Sequence, residues 1–238
     1  MATVTDVFVS GSVGNLIFYR RMGKSCARIK RVNLKQTAAT RMRGINFGMA
    51  SRAGKALRSG LYAAMPVPKD RSLQSRVCGS IAKWIGLSAV EELMPTDKVP
   101  FVSELVFTKE QPFDGRFKVQ VTVSQTRDNV IAVSIEAFVP ALQISAPAGT
   151  ALITLVISVA GCLLKTGEPF GSETQAIEIP YNDSLIPAQV LAFHVATPPG
   201  GLAITAARLI YKKPEYNSWI HIDKEAFKPA GVIDARYW

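Results

Sequence analysis

Gly23-Lys24-Ser25, within RMGKSCARIK, is the stretch most suggestive of chemistry, because Gly-Lys-Ser closes the phosphate-binding loop of nucleotide hydrolases. That loop needs a glycine five residues earlier, so that successive backbone N–H groups can fold around phosphate. Phe18 stands there, and the nearest earlier glycine is Gly14. The flanks NLIFYRR and SCARIKR are rich in apolar, aromatic and β-branched residues. Two such runs around a short Gly-containing stretch predict a β-hairpin, not a nucleotide cradle.

Other catalytic patterns are equally thin. The two histidines, His194 in VLAFHVAT and His221 in SWIHIDK, lie in strand-like runs and read as packed or surface residues. No H-x-x-x-H pair and no C-x-x-C pair offers metal-ligand spacing, and IHID alone is a weak signal. A G-x-S-x-G elbow is absent, and the glycine-rich GCLLKTGEPFGSETQ joins two strands and reads as a loop. Carboxylates are sparse, and the Glu91-Glu92 pair sits beside Pro95. The expectation is a chain without catalytic residues, metal or cofactor. Cys26, Cys78 and Cys162 are far apart and odd in number, which predicts free thiols in a reducing compartment.

Charge is the informative property. The 238-residue chain carries +10 overall. Residues 1–76 hold 15 Lys and Arg against Asp6 and Asp70, a net +13, and the remainder is net −3. A split this sharp assigns the basic charge to one module. On the expected hairpin stand Arg20, Arg21, Lys24, Arg28, Lys30 and Arg31, interleaved with Phe18 and Tyr19. Arg41, Arg43, Arg52, Lys55 and Arg58 continue along the following helix. Basic ribbons with aromatic neighbours suit phosphate backbones and base stacking. No residue is placed for base-edge readout, so little sequence preference is expected. The alternative for the same charge is an acidic partner subunit.

The elements that position these residues follow from periodicity. Residues 1–33 read as two or three short strands, with Gly11, Gly14 and Gly23 at turns. Residues 35–64 read as a helix with Met42, Ile45, Met49, Ala53, Ala56 and Leu57 on one face, beside Arg41, Arg52 and Lys55. Gly44 and Gly48 weaken that helix; close approach of another helix or of a phosphate backbone would explain them, and the alternative is a kinked or broken helix. PVPKD ends it, and a second helix spans DRSLQSRVCGSIAKWIGL, with Leu73, Val77, Ile81 and Trp84 apolar. From about Pro100 the texture becomes strand and turn. PFVSELVFTK, RFKVQVTVS, NVIAVSIEAF, TALITLVISVAG, TQAIEI, PAQVLAFHVAT, LAITAARLIYKK and NSWIHIDK make about eight strands. Tyr237-Trp238 at the end of VIDARYW serves either as a partner contact or as packing on the sandwich. The fold class is therefore α+β: a basic β-hairpin and two helices in residues 1–97, then an antiparallel β-sandwich in residues 98–238. The start MATVTDVFVSGSVG lacks a charged n-region and a long apolar run, so no signal peptide is expected. The longest apolar run, residues 150–164, is too short for a membrane helix, so no membrane insertion is expected.

Residues 11–58 resemble the N-terminal signature of a family of uncharacterised Bacteroidota and phage-associated proteins. That signature is a G-x-V-G-N start, an aromatic, a glycine turn, an Arg-bearing strand and a Gln-Thr opening to a helix with Arg and Phe. Gly11, Val13, Gly14, Asn15, Tyr19, Gly23, Arg28, Gln36, Thr37, Arg43 and Phe47 match it. The resemblance implies a β-rich second half and carries no activity. Together these readings point to a non-enzymatic structural or assembly protein, such as a phage or mobile-element particle component. It would self-associate and contact DNA or RNA phosphate, or an acidic neighbouring subunit, through its basic module, in the cytoplasm or in a virion. The alternative is a cytoplasmic, non-sequence-specific nucleic-acid-binding protein without assembly.

Overall fold

The computed structural model describes residues 2–5, 8–30, 36–65, 72–86, 93–96, 98–108, 112–126, 130–216, 218–222 and 227–238. By contacts the chain divides into two compact units, Met1–Met42 and Arg43–Trp238. The change of texture near residues 97/98 falls inside the second unit. Its helices and sheets share one body there, because the helices bury their apolar faces on the sheet.

The first unit is an antiparallel meander of β1 (Ala2–Thr5), β2 (Phe8–Val13), β3 (Leu16–Arg21) and β4 (Lys24–Ile29), in that order. Two glycines make its tight turns. Gly14 has φ +56° in the β2–β3 turn, and Gly23 has φ +77° in the β3–β4 turn. The hairpin expected around Met22-Gly23 is present, paired from Leu16↔Ile29 to Arg21↔Lys24. Gly11 is not a turn residue. It sits within β2, opposite Ala2 and Phe18.

Helix α1 (Ala38–Gly60) starts at a Thr37 cap, whose Oγ1 accepts the Thr40 N–H at 3.2 Å. A 3-10 turn, Tyr62–Ala64, follows it. The expected apolar face is only half used. Met49, Ala53 and Leu57 are buried, whereas Met42 and Ile45 are more than half exposed. Gly44 and Gly48 are not where another helix approaches. A Cβ on Gly44 would meet nothing within 4 Å, and one on Gly48 only the tip of Arg52. Gly54 is the point of close approach, where a Cβ would lie 2.9 Å from Cys78 Sγ on α2 (Leu73–Ile85).

The second unit has three layers. Its middle is a five-stranded antiparallel sheet: β11 (Ser218–His221), β10 (Gly201–Glu215), β7 (Leu152–Leu163) and β8 (Pro169–Pro180) in that order, with β12 (Ala230–Tyr237) also on β10. One face carries α1, α2 and the 3-10 turn over Ala160, Cys162, Leu202 and Ile204. The other carries a three-stranded sheet, β5 (Val121–Gln125), β6 (Ile131–Ile135) and β9 (Gln189–Phe193), over Ile153, Leu155, Ile157 and Leu209. Strand β7 is covered on both faces, which is why TALITLVISVAGCLL is apolar nearly throughout. Side chains join the two sheets at one edge. Gln175 Nε2 donates to the Ala192 carbonyl, and the His194 N–H donates to Glu173, each at 2.6 Å.

Strands β5–β12 make the eight expected, but not the same eight. PFVSELVFTK is a turn-rich segment with one isolated bridge, Val106–Gly231. The last strand is instead β12, at VIDARYW, with Tyr237 edge-on to Trp84 at 5.2 Å. Two short helices, α3 (Phe113–Arg116) and α4 (Pro140–Gln143), lie in the connections. The chain is α+β, with antiparallel sheets throughout. Among the described residues no helix is long and apolar enough to cross a membrane.

Candidate nucleic-acid interface

Side chains alternate across a strand, so register decides which cations share a face. In the first unit Arg21 pairs directly with Lys24, Tyr19 with Cys26, and Ile17 with Arg28. Arg21, Lys24 and Arg28 therefore project from one face of the sheet, together with Tyr19 and Cys26. Lys30 is next in the same alternation, held by its N–H on the Asn15 carbonyl at 2.5 Å. The Arg28 guanidinium lies 5.9 Å from the centre of the Tyr19 ring, which orients its planar fork. Arg20 points to the opposite face, and its Nε donates to the Gly23 carbonyl at 3.2 Å across the turn. That opposite face is apolar, with Val13, Leu16, Phe18 and Ile29. Arg31 lies outside the described residues.

Among the described residues up to Met42 there is no Asp or Glu. Like charges placed directly opposite on a sheet, as Arg21 and Lys24 are, repel by up to about 1 kcal/mol. A polyanion laid along the face would turn that repulsion into attraction.

The helical cations are dispersed. Arg41 and Arg43 are exposed near the start of α1. Arg52 and Lys55, in the second unit, do come together. They line a groove of about 740 Å³ between the C-terminal half of α1 and the β7–β8 hairpin. Arg52 Nη2 donates to the Lys165 carbonyl at 3.1 Å, which fixes its guanidinium at the groove's end. Arg58 stands apart beside Cys78, whose thiol burial pushes up while the Arg58 charge partly offsets that.

Sequence reading missed Cys26 as a member of the basic face, though period-two spacing from Lys24 to Lys30 carries that signal. It also missed Ser59, Thr166 and Ser172 in the groove. Nothing local could have found these three as a group, because Ser59 is on α1 and Thr166 and Ser172 are on the distant β7–β8 hairpin. His194, just past the end of β9, and His221, in β11, are both exposed. Among the described residues no group of three or more His, Cys, Asp or Glu is gathered to hold a metal. No protein-family model matches the chain, and no curated protein matches it.

Proposed function

We propose that this chain is a non-enzymatic assembly protein whose amino-terminal sheet lies on a nucleic-acid phosphate backbone, as in a phage or mobile-element particle. The sorting of Arg21, Lys24, Arg28 and Lys30 onto one sheet face with Tyr19 carries the reading. Among the described residues of its unit no carboxylate accompanies the opposed Arg21 and Lys24, which favours an external anion as their partner. Backbone contact through this face has little sequence preference, because sheet cations reach phosphates and Tyr19 offers any base a stacking surface. Exposed apolar side chains support self-association: Val13 and Ile29 on the sheet, Met42 and Ile45 on the helix.

A salt titration of binding to labelled duplex and single strands tests the first half of the reading. Four phosphate contacts give a log–log slope of about −3.6 on duplex, or about a hundredfold loss between 50 and 200 mM salt. Arg28→Ala should make that slope shallower by about 0.9. Bound nucleic acid should also slow labelling of Cys26, which shares the face. Absence of binding at low salt would remove nucleic acid and leave an acidic protein surface as the partner. Light scattering tests the second half, with oligomers expected and a monodisperse monomer counting against assembly.

A further inference from the structure

The groove in the second unit poses a separate question: why is there space between α1 and β7–β8 at all? Its ends are pinched shut by glycines. At one end Gly167 has φ +74°, and a Cβ there would lie 2.6 Å from Arg52 Cβ and 2.8 Å from the Arg52 carbonyl carbon. At the other, a Cβ on Gly60 would lie 2.6 Å from Ala160 Cβ and 3.0 Å from Ser172 Cβ. Helix and hairpin are therefore in direct contact at both ends. The residues facing each other across the span are small on both sides: Ala56 and Ser59 on the helix, Ala160 and Ser172 on the strands. The groove opens to solvent, with Arg52, Lys55, Ser59, Thr166 and Pro169 exposed along it.

The lining has a definite chemistry. Arg52 and Lys55, one helical turn apart, supply two positive charges. Ser59, Thr166 and Ser172 supply three hydroxyls. Among the described residues lining the groove there is no carboxylate. Ala56, Ala160 and Pro169 provide apolar wall. A volume of about 740 Å³ falls in the range of small-molecule sites.

We propose that this groove binds a small phosphate monoester of about mononucleotide size. The phosphate would meet the Arg52 guanidinium and the Lys55 ammonium, with hydroxyls completing its hydrogen bonds and the organic body against the alanine and proline wall. A guanidinium already held by the Lys165 carbonyl loses little freedom on engaging an anion. The site is distinct from the basic sheet face, and neither proposal depends on the other.

Calorimetric titration of the full chain with adenosine 5′-monophosphate, adenosine and inorganic phosphate tests it. The monophosphate should bind saturably, at least tenfold tighter than adenosine, and inorganic phosphate should compete. Lys55→Ala should weaken it about tenfold. Ser59→Phe, which fills the groove and leaves both cations, should abolish it, with thermal unfolding confirming that each variant is folded. Arg28→Ala should leave it unchanged, because that cation belongs to the other site. Equal affinity for adenosine, unchanged binding in Ser59→Phe, or no saturable binding of the monophosphate at millimolar concentration would each overturn the proposal.

Discussion

Met22 shows what a single residue costs at a turn. It lies with φ +49° directly before Gly23 at +77°, two successive left-handed residues as a type I′ hairpin turn requires. Asparagine is the usual occupant of the first position, and a long unbranched side chain pays about 1 kcal/mol to sit there. Nothing in packing compensates, since Met22 is 93% exposed. Met22→Asn should therefore steady the β3–β4 hairpin, raising amide-exchange protection of Arg21 and Lys24 severalfold; unchanged protection would mean that the turn is not limiting. The turn was legible in the sequence because Gly23 stood between two β-rich runs. The sharing of one face by Arg21, Lys24 and Arg28 was not, because it depends on register, and register is fixed by the turn type. One residue more in that loop would shift the pairing and separate these cations. The groove residues were illegible for another reason. Arg52 and Ser172 are 120 positions apart and meet only through tertiary packing.

At the scale of elements, α1 holds the clearest contrast between pattern and use. Its apolar stripe reads as continuous from Met42 to Leu57, yet only the half from Met49 onward is buried. Periodicity reports which residues share a face and is silent on how far the partner surface extends. Glycines divide in the same way. Gly44 faces open space, so Gly44→Ala should gain up to about 1 kcal/mol from helix propensity. At Gly54 an added methyl meets Cys78 Sγ at 2.9 Å and Val77 at 3.5 Å. Gly54→Ala should thus lose about 1–3 kcal/mol by overpacking α1 against α2, more than its propensity gain. Urea unfolding of the two variants should move in opposite directions, and a shared direction would contradict this placement of α2. Strand β12 was legible only as an alternative use of Tyr237-Trp238. Its run VIDARYW alternates over residues 233–237, with Asp234 and Arg236 set between Ile233, Ala235 and Tyr237 as in a strand with one polar face. Asp234 and Arg236 pair with each other at 2.7 Å, and Arg236 also donates to the Val123 carbonyl.

In the whole molecule, burial has placed neutral acids at the junctions between layers, and this fixes how stability responds to pH. Cys162, fully buried, lies between α1 and the central sheet, with Sγ 3.8 Å from the Ala53 carbonyl. Burial pushes its thiol from an ordinary value near 9 up to about 12. Tyr211 lies on the opposite face, donating its hydroxyl to the Ser145 carbonyl at 3.0 Å, and burial raises it too. Tyr237, against Trp84, shifts in the same direction for the same reason. Each group holds its proton more firmly folded than unfolded, so the stabilisation is complete below its ordinary value and is lost as pH rises above it. For Cys162 the loss starts near pH 9 and amounts to about 1.4 kcal/mol per pH unit, continuing towards its folded value. The tyrosines join from about pH 10. Urea midpoints should therefore be flat from pH 7 to 8.5 and fall steeply above 9. Cys162→Ala should be less stable at neutral pH, through the volume it vacates beside Ala53, and should fall less steeply between pH 9 and 10. An identical slope in that variant would assign the alkaline loss to the other groups that burial holds protonated, Cys78, Tyr211 and Tyr237. The two outcomes differ because Cys162 ionises beneath α1, whereas Tyr211 lies on the opposite face of the central sheet.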